Sequence, residues 1–109
     1  MDLTDSAPVF SATADVDGDR ATVRVTGEVD MATADAMYQA ATRDGAAHLM
    51  LDLRGVSFFD SAAIHALVRL AERYPRALAV LPSPQVARVL QISGLSEQPW
   101  FLTPNAADR

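Results

Sequence analysis

Asp60, Ser61 and His65 are the residues of this chain that most invite chemistry, with Glu28 and Asp30 as an acidic pair upstream. A hydroxyl beside a carboxylate, with a histidine one helical turn further on, has the parts of a nucleophilic set. A triad, however, needs an oriented base and donors aimed at the developing oxyanion. No Gly-x-Ser-x-Gly elbow surrounds Ser61, and Ala62-Ala63 follows it. No catalytic residue is therefore assigned, and the chain is read as a non-enzyme. Two readings of Ser61 remain. Asp and Ser are preferred helix caps, and Asp60 and Ser61 between them suffice for one. Alternatively the hydroxyl is a modification site. A phosphate there meets free backbone N–H groups and the positive end of a helix. It also adds about 1.5 to 2 negative charges beside Glu28, Asp30 and Asp60. The fold tolerates the first effect, and the second changes what the surface binds.

The remaining residues exclude other chemistry. His65 falls on a polar arc with Arg69, Glu72 and Arg73, and His48 opens a strand. Two isolated histidines without ligand spacing, in a chain with no cysteine, predict no metal site. No lysine exists to complete a phosphate-binding loop, and no Gly-x-Gly-x-x-Gly occurs, so no cofactor is expected. Phe58 and Phe59 are adjacent. In an extended segment one faces out as an apolar anchor for a partner; the other reading packs both rings in the core.

The elements that must position these residues follow from periodicity. Val9–Ala14 and Ala21–Thr26 alternate as strands around the Asp17-Gly18-Asp19 turn signal. Asp30 is placed to cap a helix over Met31–Arg43, stopped at Asp44-Gly45. His48–Leu53 is nearly continuous in apolar residues, the composition of a strand covered on both faces. Arg54–Ser57 reads as a turn. A helix from Asp60-Ser61 to Pro75 buries Ile64, Leu67, Val68, Ala71 and Tyr74. Ala77–Leu81 is a further strand, and Pro84 opens a helix from Gln85 to Ile92 with Gly94 as its stop. Trp100–Leu102 suggests a short edge strand. The order is β-β-α-β-α-β-α, an α/β domain with a mixed sheet of four to five strands. Residues 9–102 form the domain, and 1–8 and 103–109 are expected to be flexible tails. Topology brings the exits of the second and third strands, with Glu28, Asp30, Asp60 and Ser61, to one edge.

Length and charge bound the class. At 109 residues the chain suits one domain. With 14 acidic and 9 basic residues its net charge is −5, which argues against nucleic-acid binding. No apolar stretch reaches the roughly 18–20 residues of a membrane span, and the N-terminus carries no basic, apolar leader. A soluble, cytoplasmic protein without direct membrane insertion is the expectation.

Gly27-Glu28-Val29-Asp30, the apolar strand His48–Leu53 and Gly55-Val56-Ser57-Phe58-Phe59-Asp60-Ser61 occur in an order that resembles the STAS domain. More narrowly, they resemble those of the bacterial anti-sigma factor antagonists. Ser83-Pro84 and Ile92-Ser93-Gly94-Leu95 match further family positions, so the resemblance spans roughly residues 9–96. It implies that Ser61 is the regulatory phosphorylation site. Glu28 and Asp30 of the second-strand motif and Asp60 before the serine fall on family positions as well, and with Phe59, Ser61, Ala62 and His65 they are expected to face a partner. That partner would be an anti-sigma factor serine kinase, bound when Ser61 is unphosphorylated, and a serine phosphatase would restore binding. The family glycine two residues after the serine is Ala63 here, and the long C-terminal helix of the family is missing. The second function considered is a STAS subunit of a membrane lipid-transport ATPase complex, in which Ser61 need not be phosphorylated.

Overall fold

A computed structural model describes residues 9–102; the two expected tails lie outside the described residues. The elements are β1 (Phe10–Asp17), β2 (Arg20–Val29), α1 (Ala34–Thr42), β3 (His48–Phe59), α2 (Ser61–Arg73), β4 (Leu78–Pro82) and α3 (Pro84–Ile92). They form a four-stranded sheet in the order β1-β2-β3-β4. β1 and β2 run antiparallel across the hairpin, and β3 and β4 follow parallel to β2. This is the mixed sheet and the element order that periodicity predicts. The fifth strand suggested at Trp100–Leu102 shrinks to a bridge between Val80 and Phe101, held by Val80 N–H to the Trp100 carbonyl at 2.7 Å and Leu102 N–H to the Val80 carbonyl at 3.0 Å.

The pairing register decides which residues make the core. Val23 lies level with Leu51, and Leu51 with Val80. Ala21, Leu49 and Leu78 form the neighbouring row, and all six side chains are buried. Met37, Leu67, Leu70, Val86 and Leu90 of the helices complete the same cluster. The opposite face of the sheet carries exposed Thr13 and Arg24 and half-buried Met50 and Leu81. The expectation that His48–Leu53 is covered on both faces is thus corrected. What hides Asp52 on that second face is not a helix but the guanidinium groups of Arg24 and Arg54.

β3 also runs on through Phe59, where a turn was expected at Arg54–Ser57. The local irregularity is real but stays within the strand. The register against β2 shifts between Arg24 and Thr26 and again between Gly27 and Glu28, so β3 carries extra residues at both points. At the first shift the Asp52 carboxylate accepts from the Arg54 backbone N–H at 3.0 Å, the local bond that mimics a turn. Gly55 marks the same place because β2 approaches closely: a Cβ there would stand 2.8 Å from the Thr26 methyl.

Two helix expectations need correction. α2 buries Ala63, Ala66, Leu67 and Leu70, with Tyr74 at its cap, whereas Ile64, Val68 and Ala71 are only half-buried. Ala63 and Ala66 share the inward face with Leu67 and Leu70, and Ile64 and Val68 flank it. α1 begins at Ala34 rather than Met31, with Thr33 at the cap position. Asp30 instead holds the preceding turn, as its hydrogen bonds show below.

Candidate functional site

The site is the edge where β2 and β3 end. Glu28 pairs in register with Phe58 and Val29 with Phe59, and the Asp60 N–H reaches the Val29 carbonyl at 3.3 Å. Parallel pairing thereby brings Glu28 and Asp30 beside Asp60 and Ser61, as the topology predicts. Gly27 shapes the approach. Its φ is +93°, and a Cβ on it would lie 2.2 Å from the Val9 carbonyl oxygen, so no other residue fits.

Asp60 is the cap of α2. Its backbone is extended, with φ −104° and ψ −169°, and its Oδ1 accepts from Ala63 N–H at 3.0 Å. Its carbonyl accepts from Ile64 N–H at 2.9 Å, the first bond of the helix. Such a cap is worth about 0.5–2 kcal/mol. Ser61 is the first helical residue and is exposed. Among the described residues its Oγ has no hydrogen-bond partner, and neither its N–H nor that of Ala62 is engaged. Of the two readings open in the sequence, the cap therefore belongs to Asp60 and the hydroxyl stands free. The nucleophilic reading loses its orienting group as well, because the Asp60 carboxylate is committed to the helix and is not hydrogen-bonded to His65.

Asp30 is built differently. Its Oδ1 accepts from Ala32 N–H at 2.9 Å and Thr33 N–H at 3.2 Å, and Thr33 Oγ1 lies 3.1 Å from it. Thr33 Oγ1 donates to the Glu28 carbonyl at 2.9 Å and accepts from Asp30 N–H at 2.9 Å. This knot fixes the exit of β2 and leaves Met31 85% exposed.

Of the residues expected to face a partner, Glu28, Ser61 and His65 are exposed, and Asp30, Asp60 and Ala62 are half-buried. Phe59 is corrected: it is 4% exposed and belongs to the core, and the outward ring is Phe58 at 49%. The sequence left the outward ring open between Phe58 and Phe59, and Met31, which its residue type assigns to packing, is instead exposed. The departure at Ala63 has no surface consequence, because its methyl group is fully buried in the core. Among the described residues no group of three or more His, Cys, Asp or Glu is arranged to hold a metal ion. No helix among them is long and apolar enough to cross a membrane.

Comparison with known proteins adds to this geometry. No curated protein matches the sequence significantly. Among solved structures, an anti-sigma factor antagonist from Mycobacterium paratuberculosis superposes with a TM-score of 0.75 at 28% identity, covering 94% of each chain. The unphosphorylated anti-sigma factor antagonist SpoIIAA gives a TM-score of 0.63 at 25% identity, over 90% of this chain and 93% of that one. The phosphorylated form of the Bacillus cell fate determinant SpoIIAA gives 0.59 at 20% identity, over 90% and 96%, a likeness of fold. The family model described as STAS domain matches residues 11–107, nearly the whole chain, and with the strand order and the site-bearing edge just described, the protein belongs to the STAS domain family.

Proposed function

We propose that this STAS protein is an anti-sigma factor antagonist that acts by binding, not by catalysis. In its unphosphorylated form it binds an anti-sigma factor that is a serine kinase, and phosphorylation of Ser61 ends the complex. A serine phosphatase acting on phospho-Ser61 resets it. The observation that carries this reading is the free hydroxyl of Ser61 on the first residue of α2, with Asp60 doing the capping. The 28% identical neighbour described as an anti-sigma factor antagonist supports the general role.

The physics of the switch is local. A phosphate on Ser61 adds about 1.5 to 2 negative charges and meets the unengaged N–H groups at the start of the helix. The fold therefore accepts it without rearrangement. Glu28, Asp30 and Asp60 already make the edge acidic, so a partner that docks there must supply positive charge or tolerate close carboxylates. Extra charge on the centre of that surface raises the desolvation cost and repels any acid across the interface. The exposed Phe58, level with Glu28, and the exposed Met31 provide apolar contact.

A pull-down from native lysate with wild type, Ser61→Ala and Ser61→Asp as baits tests the proposal by mass spectrometry. The expected outcome is an ATPase-type serine kinase retained by wild type and Ser61→Ala and lost with Ser61→Asp. Retention of a transporter ATPase by all three baits would overturn it in favour of the transport-subunit reading.

A further inference from the structure

At the sheet edge opposite Ser61, where β2, β3 and β4 begin, two hollows meet at Arg76. One is an apolar groove of about 650 Å³ between α2 and the segment after α3, walled by Val68, Ala71, Tyr74, Leu78, Leu95 and Trp100. The other is a smaller cleft of about 280 Å³ with Arg20, His48 and Arg76 in its wall. Arg76 and Leu78 line both. The groove falls in the size range of small-molecule sites, which are mostly apolar with a few convergent polar groups.

Arg76 itself is held at a conformational cost. The Ala77 N–H bonds the Tyr74 carbonyl at 3.0 Å, closing a turn with Pro75 second and Arg76 third. Arg76 has φ +63°, and among the described residues it is the one non-glycine residue with positive φ. Glycine is the relaxed choice at that turn position. An arginine kept where its backbone is disfavoured, at the junction of an apolar groove and a basic cleft, points to a use for its side chain. The charges set the direction of a ligand. Glu72 stands in the groove wall and disfavours an anionic group there. The always-charged groups of the cleft wall are Arg20 and Arg76.

We infer that this edge binds a small amphipathic anion. Its carboxylate or phosphate head lies between Arg20 and Arg76, and its alkyl or ring body lies in the groove against Leu78 and Trp100. The site is separate from Ser61 and does not depend on the switch proposed above.

Trp100 is the chain's single tryptophan, so its fluorescence reports occupation of the groove. The full chain would be titrated with decanoate, decyl phosphate, decanol and inorganic phosphate. Decanoate or decyl phosphate should give a saturable change, and whichever binds more tightly identifies the head group. Decanol should bind at least about tenfold more weakly, the ratio expected for loss of a charge-assisted contact. Inorganic phosphate alone should leave the fluorescence unchanged. Arg76→Gly should raise Tm by a few degrees, because the turn relaxes, and still weaken decanoate binding about tenfold or more. Arg20→Ala should weaken it to a similar degree. The inference is overturned if neither anion gives a saturable change, if decanol binds as well as decanoate, or if Arg76→Gly binds undiminished.

Discussion

Asp30 and Asp60 occupy equivalent places, one at the end of β2 and the other at the end of the parallel neighbour β3, and each leads into a helix. Their outcomes differ. Among the described residues Asp60 makes a single side-chain bond, to Ala63 N–H, and α2 starts at the next residue. Asp30 gathers Ala32 N–H and Thr33 N–H with Thr33 Oγ1 packed beside it, and α1 waits until Ala34. The neighbours explain the difference. Thr33 can reach back to the Glu28 carbonyl and to Asp30, so the chain closes a polar knot before the helix begins. After Asp60 the small residues Ser61, Ala62 and Ala63 offer no such competitor, and Ala63 packs fully into the core. The result is one rigid helix start with a free hydroxyl and one side-chain-locked turn that projects Met31.

Alanine at each aspartate breaks this contrast most directly. Asp30→Ala removes the shared acceptor of the knot and should cost up to about 2 kcal/mol, the upper end for a cap. Asp60→Ala removes one bond and should cost about 1 kcal/mol. Urea midpoints of the two variants check the ranking. A larger loss at Asp60 would mean that the Thr33 knot is dispensable and that the two helix starts differ in shape alone.

Much of this arrangement was legible in the sequence, and the illegible part has specific causes. The element order, the parallel pairing and the meeting of Glu28, Asp30, Asp60 and Ser61 follow from apolar runs and turn signals alone. The choice between Phe58 and Phe59 does not. Inward residues of β3 run Leu49, Leu51, Leu53, Val56 and Phe59, so the two register shifts change parity and then restore it. Nothing in the local composition counts bulges. The buried face of α2 was legible at Leu67 and Tyr74 but not beside them, for a related reason: size suggests that Ile64 and Val68 are core, but close packing gives those inner positions to Ala63 and Ala66. The covering of Asp52 by arginines, likewise, is a tertiary event that an apolar run disguises as a strand buried on both faces.

A third aspartate sharpens the comparison through charge. Asp52 is bound by guanidinium groups as well as by a backbone amide, with Arg54 Nε at 3.0 Å, Arg54 Nη2 at 2.9 Å and Arg24 Nε at 3.5 Å. The hydrogen bond from the Arg54 side chain holds its carboxyl below the usual range, and outweighs the burial that pushes it up. The folded pKa is therefore lower than the unfolded value of about 3.9. Asp52 contributes stability that is complete above that value and is lost as pH falls through the folded one. Urea midpoints followed from neutral pH into acid should decline in that window. Arg54→Ala should flatten the decline, and an unchanged slope would assign it to other carboxylates.

The smallest expected effect is the most informative about the site. Ser61→Ala deletes a hydroxyl that has no hydrogen-bond partner among the described residues, in a helix whose cap is Asp60. Alanine also has the higher helix propensity. Stability should therefore change by no more than about 0.5 kcal/mol, as for surface positions away from special contacts. A cost equal to that of Asp60→Ala would show that the hydroxyl shares the cap, and a phosphate there would then have to disturb the helix start. A null effect keeps the two roles on separate residues: Asp60 holds the helix, and Ser61 is free to carry charge without cost to the fold beneath it.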